Sequence, residues 1–215
     1  MGSCCIIAVK YTEPEWVETK ELVEQCNCPV IYVDRHGTGP LASAYNRGFK
    51  KLGRYGFEDS DYIWFVSNVT FDPKILNLML KRMDKQDYAA IHPAFDNSDH
   101  LFCRPDGSRR LKPVPFVEFT APIVRKDVFD QFQLDENMPY WGHDLDWGFR
   151  VRKVGHKIGV DHRCRIYHTY NRDLDVSHPD TMKRAANRKK TDSTTTRNLI
   201  KKYGSNWRRF LEYAG

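Results

Sequence analysis

Long apolar runs are missing from this chain of 215 residues. None approaches the roughly 20 consecutive apolar residues that a membrane-spanning helix needs, so no span is expected. A basic leader is missing too. Met1-Gly2-Ser3-Cys4-Cys5 runs directly into apolar residues, and the expectation is a chain without a secretory signal. Met-Gly followed by two cysteines has the form of a lipidation signal. Cys5–Val9, however, reads as a buried first strand, and a strand cannot also serve as an anchor. The six cysteines lack the paired Cys-x-x-Cys spacing of a zinc site: Cys4 and Cys5 are adjacent, Cys26 and Cys28 flank one residue, and Cys103 and Cys164 stand alone. That usage fits reduced thiols in a cytoplasmic setting better than a disulfide framework. No internal repeat is present.

What the chain does contain is 40% hydrophobic and 13% aromatic residues, enough for one sizeable core of an enzyme-like globular domain. Its net charge of +6 is unevenly placed. From Arg163 onward there are 13 Lys/Arg against 5 Asp/Glu, so the first 162 residues carry a slight negative balance. A basic C-terminal quarter implies an anionic partner, such as a nucleotide diphosphate, a nucleic acid or an acidic surface. As a solvated face it would only aid solubility.

Cys5–Val9, Val30–Val33, Tyr62–Val66 and Tyr88–Ile91 are short apolar runs of the buried-strand kind. Helical segments over Glu15–Gln25, Leu41–Leu52 and Pro73–Leu80 separate them, the last with Asp72 as N-cap. Alternation of this kind predicts an α/β fold with a mostly parallel central sheet flanked by helices. The polar stretch His92–Pro115 reads as a loop or short hairpin over one face. Phe116–Val124 reads as a strand, Arg125–Asp130 as a short helix, and His156–Val160 and Cys164–Tyr167 as two late strands. Thr181–Lys190 and Thr195–Tyr203 read as polar helices, with Trp207, Phe210 and Leu211 as an apolar anchor to the body.

One block stands out. In His143-Asp144-Leu145-Asp146 two carboxylates flank one residue at the start of a helical run that continues through Phe149-Arg150-Val151. Adjacent acids repel, so such a pair normally answers to a cation, a proton or a polar ligand. An acidic first turn suits the helix dipole and is the structural alternative.

This block resembles the C-terminal signature of inverting GT-A glycosyltransferases of the family-2 type. Leu134-Asp135-Glu136 matches the lead-in, His143-Asp144-Leu145-Asp146 the acidic core, and Arg150 and Gly155 follow in order. The departure is His143, where the family usually has Glu. The resemblance spans about residues 5–170. It implies a single Rossmann-like GT-A core over 1–170, with a nucleotide half (1–91) and an acceptor and catalytic half (92–170). A basic, mostly helical extension (171–215) would pack on that core.

The resemblance implies sugar transfer with inversion from a nucleotide sugar, of the UDP class, to a hydroxyl on a glycan, a protein or DNA. Asp144 falls at the catalytic base. Lys10 would border the nucleotide base, and Asp34 would hold the base or ribose, its structural alternative being a turn-forming Asp. Asn46 and Arg47, in a small-residue helix ending at Gly48, would serve the diphosphate, with Ser67, Asn68 and Arg172. Trp141, His143 and Asp146 would meet the acceptor, Asp146 alternatively capping its helix. At the end of the third strand Ser67-Asn68 stands where the family carries metal-binding acids. A Mn²⁺ or Mg²⁺ ion would then rest on Asn68 and His168, or be replaced by basic residues. Two further readings are a viral-type DNA glycosyltransferase acting on hydroxylated bases and a non-catalytic nucleotide-sugar or glycan-binding domain.

Overall fold

The apolar run Cys4–Lys10 (β1) lies in the interior of the sheet, with Cys5 to Val9 fully buried. A computed structural model describes residues 2–10, 15–35, 40–96, 98, 100–138, 141–168 and 192–211. On either side of β1 run Val30–Asp34 (β2) and Tyr62–Val66 (β3), both parallel to it. The register pairs Lys10 with Asp34 and Ala8 with Val66, so the C-terminal ends of these strands finish together. Beyond β3 come Ile123–Arg125 (β7, antiparallel), Ala90–Phe95 (β5) and Ile158–His168 (β8, parallel to β5). Val69–Phe71 (β4) closes that edge antiparallel to β8, and Leu111–Pro113 (β6) pairs with β8 as a side branch. The result is a single α/β domain with a mixed, largely parallel sheet flanked by helices.

The antiparallel strands depart from the expected ones for local reasons. Asn68 adopts φ 49°, a left-handed conformation that Asn tolerates better than most residues, and the chain leaves β3 there. It crosses to the far edge as β4, which sequence alternation does not foresee. Of the strand expected over Phe116–Val124, only the end pairs, as β7. The two late strands are one. Its register against β5 jumps from Pro93↔Asp161 to Ala94↔Arg165, a bulge that swallows residues 162–164 and breaks the apolar pattern.

The helices fall near their expected places: Glu15–Glu24 (α1), Leu41–Lys50 (α2), Leu52–Tyr55 (α3), Lys74–Lys85 (α4), Lys126–Gln131 (α5) and His143–Lys153 (α6). Asp72 Oδ1 accepts the Lys74 amide at 2.9 Å at the start of α4. A helix over 192–203 (α7) and Trp207–Leu211 (α8) complete the described chain. Leu199 and Trp207 are buried in the common core. The expected helix 181–190 and the junction near residue 170 lie outside the described residues, as do the side chains of Phe210 and Leu211. No described helix is long and apolar enough to cross a membrane.

Gly48 sets how closely α2 approaches the sheet. A Cβ there would lie 2.4 Å from Ile7 Cγ2 on β1 and 3.0 Å from Val33 Cγ2 on the edge strand β2. Gly48→Ala should therefore destabilise the fold by about 1–3 kcal/mol, the range of core overpacking. A urea titration checks this; an unchanged midpoint would mean the helix has room to retreat.

Candidate active site

Open sheets of this kind bind ligands outside the C-terminal ends of their parallel strands. That edge here carries Lys10, Asp34, Ser67-Asn68 after β3, Asp96 after β5, and His168 at the end of β8. Asp34 is exposed, and Arg47 binds beside it: its guanidinium donates to Asp34 O at 3.3 Å and to Ser43 Oγ at 3.1 Å. Arg47 thus ties α2 to the end of β2.

Tyr45 and Phe119 join this edge to the start of α6. The Tyr45 hydroxyl donates to Phe119 O at 2.9 Å, and Phe119 meets the rings of Tyr45 and His143 with centroids 6.2 Å away in each case. Burial raises the Tyr45 hydroxyl well above the usual tyrosine range, opposed by a hydrogen bond with Ser67 and the positive charge of Arg35. Arg35 also acts on His143. Burial lowers that imidazole, Asp144 raises it and Arg35 lowers it further, so His143 is neutral near pH 7. The Arg35 guanidinium therefore sits where it is felt both beneath the strand ends and at the head of α6. Sequence reading missed it, although it directly follows Asp34 at the end of a parallel strand, the position where ligand-binding groups gather.

Asp144 is half-buried in the first turn of α6. Its Oδ1 accepts the amides of Gly142 at 3.0 Å and Leu145 at 2.9 Å, which fixes the carboxylate and leaves Oδ2 for other work. Cys103, in the 3-10 turn Leu101–Cys103, lies close enough that its buried thiol is pushed up by burial, then by Glu118, and also by Asp144.

The structure moves several expected ligand contacts elsewhere. Asn46 is buried: its Nδ2 donates to Leu134 O and Glu136 Oε1, both at 2.9 Å, and its Oδ1 accepts the Leu134 amide at 3.2 Å. It braces the segment leading to α6 instead of facing a diphosphate, and its hydrogen bond holds the Glu136 carboxyl below the usual range. Asp146 is fully buried, with Arg150 Nε on one oxygen at 2.8 Å and Lys202 and the Tyr203 hydroxyl on the other. His143 is 4% exposed, and the half-buried Trp141 donates from Nε1 to Asp192 Oδ1 at 2.6 Å. Arg172 lies outside the described residues.

The metal expectation meets the same test. β4 pairs Val69 with His168, which brings Asn68 beside that histidine. Burial lowers His168 to about 4, so the ring is neutral near pH 7. A hydroxyl, an amide and an imidazole offer no carboxylate, and no group of three His, Cys, Asp or Glu side chains among the described residues could hold an ion. Asn68 and His168 alone do not fit a hard divalent cation, which takes six or more oxygens and favours carboxylates.

No protein-family model matches the chain, and no curated protein matches it in sequence. Solved structures do. GalNAc-T7 with UDP, GalNAc and Mn²⁺ superimposes with TM-score 0.58 at 10% identity, over 83% of this chain and 46% of that one. The chain thus spans under half the length of that protein. Staphylococcus aureus TarS 1–349 gives 0.56 at 12% identity, over 96% and 73% of the two chains. The catalytic domain of Drosophila β1,4-galactosyltransferase 7 in complex with xylobiose gives 0.52 at 15%, over 85% and 79%. The chain has the fold of the GT-A glycosyltransferases.

Proposed function

We propose that this protein is an inverting glycosyltransferase of the family-2 type, taking a UDP-sugar donor. One observation carries the reading: a fixed, partly exposed carboxylate, Asp144, stands at the head of α6, next to the His143 ring on which Arg35 acts from the end of β2. The nucleotide would lie across Lys10, Asp34 and Ser67, with the diphosphate toward Arg35. The acceptor oxygen attacks the anomeric carbon as the bond to the diphosphate breaks. Asp144 Oδ2 takes the acceptor proton, and the electron pair leaves with the diphosphate. A guanidinium matches a diphosphate's charge and oxygen spacing, so Arg35 supplies the cation that the described residues do not gather around a metal. The six thiols carry no disulfide, which supports placing the protein in the cytoplasm.

Calorimetry with UDP as the probe tests the donor site. UDP should bind as well in chelator as in Mg²⁺. Arg35→Met should weaken binding roughly tenfold or more, the scale of a lost charge-assisted contact. Asp34→Ala should weaken it less, through a uniform ground-state contact. Undetectable UDP binding, or parental affinity in Arg35→Met, would remove this donor site.

A further inference from the structure

Residues 135–138 and Trp141-Gly142 precede Asp144, and α7 holds them from several points. Lys202 Nζ bonds Asp135 Oδ2 at 3.0 Å and reaches Asp146 Oδ1, which also accepts the Tyr203 hydroxyl. Asn198 Nδ2 donates to Asn137 O at 2.7 Å. Gly142 adopts φ +88°, and a Cβ on it would lie 2.7 Å from Thr195 Cγ2, so helix and loop touch with no room for a side chain. The held residues bracket Asp144 on both sides.

We infer that Lys202 and Tyr203 are positioning residues for Asp144, acting through the buried carboxylate of Asp146, so that the C-terminal helix forms part of the catalytic apparatus. The inference rests on Asp144 being the base. Asp146 lies two residues beyond it, and its buried charge is balanced by Arg150, Lys202 and the Tyr203 hydroxyl. Without Lys202 that buried charge loses a partner, and the turn that carries Asp144 loses one of its holds.

The experiment compares the full chain with Tyr203→Phe, Lys202→Met and Lys202→Arg. Hydrogen exchange is followed over 135–146 and over β1 and β3, and kcat and donor KM for sugar transfer are measured in each variant. Exchange over 135–146 should quicken roughly tenfold in Tyr203→Phe and Lys202→Met, as for a lost hydrogen bond to a charged group, while β1 and β3 keep parental rates. Sugar transfer should lose roughly tenfold in kcat at little changed donor KM in Lys202→Met and recover toward the parent in Lys202→Arg. Parental exchange over 135–146, quickening shared equally by β1 and β3, or a parental kcat in Lys202→Met would each overturn the positioning role. Sugar transfer at the parental rate by Asp144→Asn would instead overturn the base reading, and the catalytic sense of the inference with it, whatever the exchange data show.

Discussion

Asp144→Asn should bind UDP as the parent does yet transfer sugar roughly 10²-fold more slowly or worse, the scale of a lost general base. The amide keeps an oxygen to accept the Gly142 and Leu145 amides at Oδ1, so the loop should hold its shape. What it cannot do is take a proton. The expected signature is a kcat loss with little change in donor KM, because proton transfer belongs to the transition state. Parental kcat would show that another group activates the acceptor.

The second large effect concerns acid. His92 is fully buried in β5, and burial lowers it to about 3. Its Nε2 accepts the Ala121 amide at 3.2 Å and lies 2.9 Å from Thr120 Oγ1, while Nδ1 faces Pro93 O. Protonating Nε2 would set one N–H against another. The unfolded chain takes up this proton near pH 6.5 and the folded chain only near 3, so stability falls as pH drops through that window. The loss reaches at most about 5 kcal/mol for this one residue. His168 and His143, also lowered by burial, add to the same slope. The melting temperature should therefore fall between pH 6.5 and 4.5, above the range where ordinary carboxylates titrate. His92→Gln should be less stable at neutral pH but show a flatter slope. A parental slope in that variant would mean His92 does not drive the acid response. The effect bears on the site, because Thr120 O accepts the Ser67 amide at 2.9 Å.

The parallel half of the fold was legible because burial on both faces writes continuous apolar runs, as in Cys5–Val9 and Ile63–Val66. The antiparallel strands were not, since β4 and β7 have only three residues each and depend on a left-handed turn at Asn68 and on pairing partners far along the chain. In the site, the acidic pair at the head of α6 was visible, but the division of labour within it was not. Asp144 and Asp146 differ by the neighbours that reach them. Lys202 and Tyr203 come from more than 50 residues away, and no local pattern announces them. Asn46 shows the same limit. Its place beneath the strand ends suits a ligand contact, yet Leu134 and Glu136 claim its amide. Arg35 went unnoticed because a single arginine after a strand has no motif; only its reach toward Tyr45 and His143 marks it.

The central claim is that this fold transfers sugar from a nucleotide donor, and UDP release from a panel of UDP-glucose, UDP-galactose, UDP-GlcNAc and UDP-GalNAc tests it most directly. The parent chain should release UDP from at least one donor, in chelator as well as in Mg²⁺, with release falling roughly 10²-fold in Asp144→Asn. No release from any donor, or equal release by parent and variant, would contradict it.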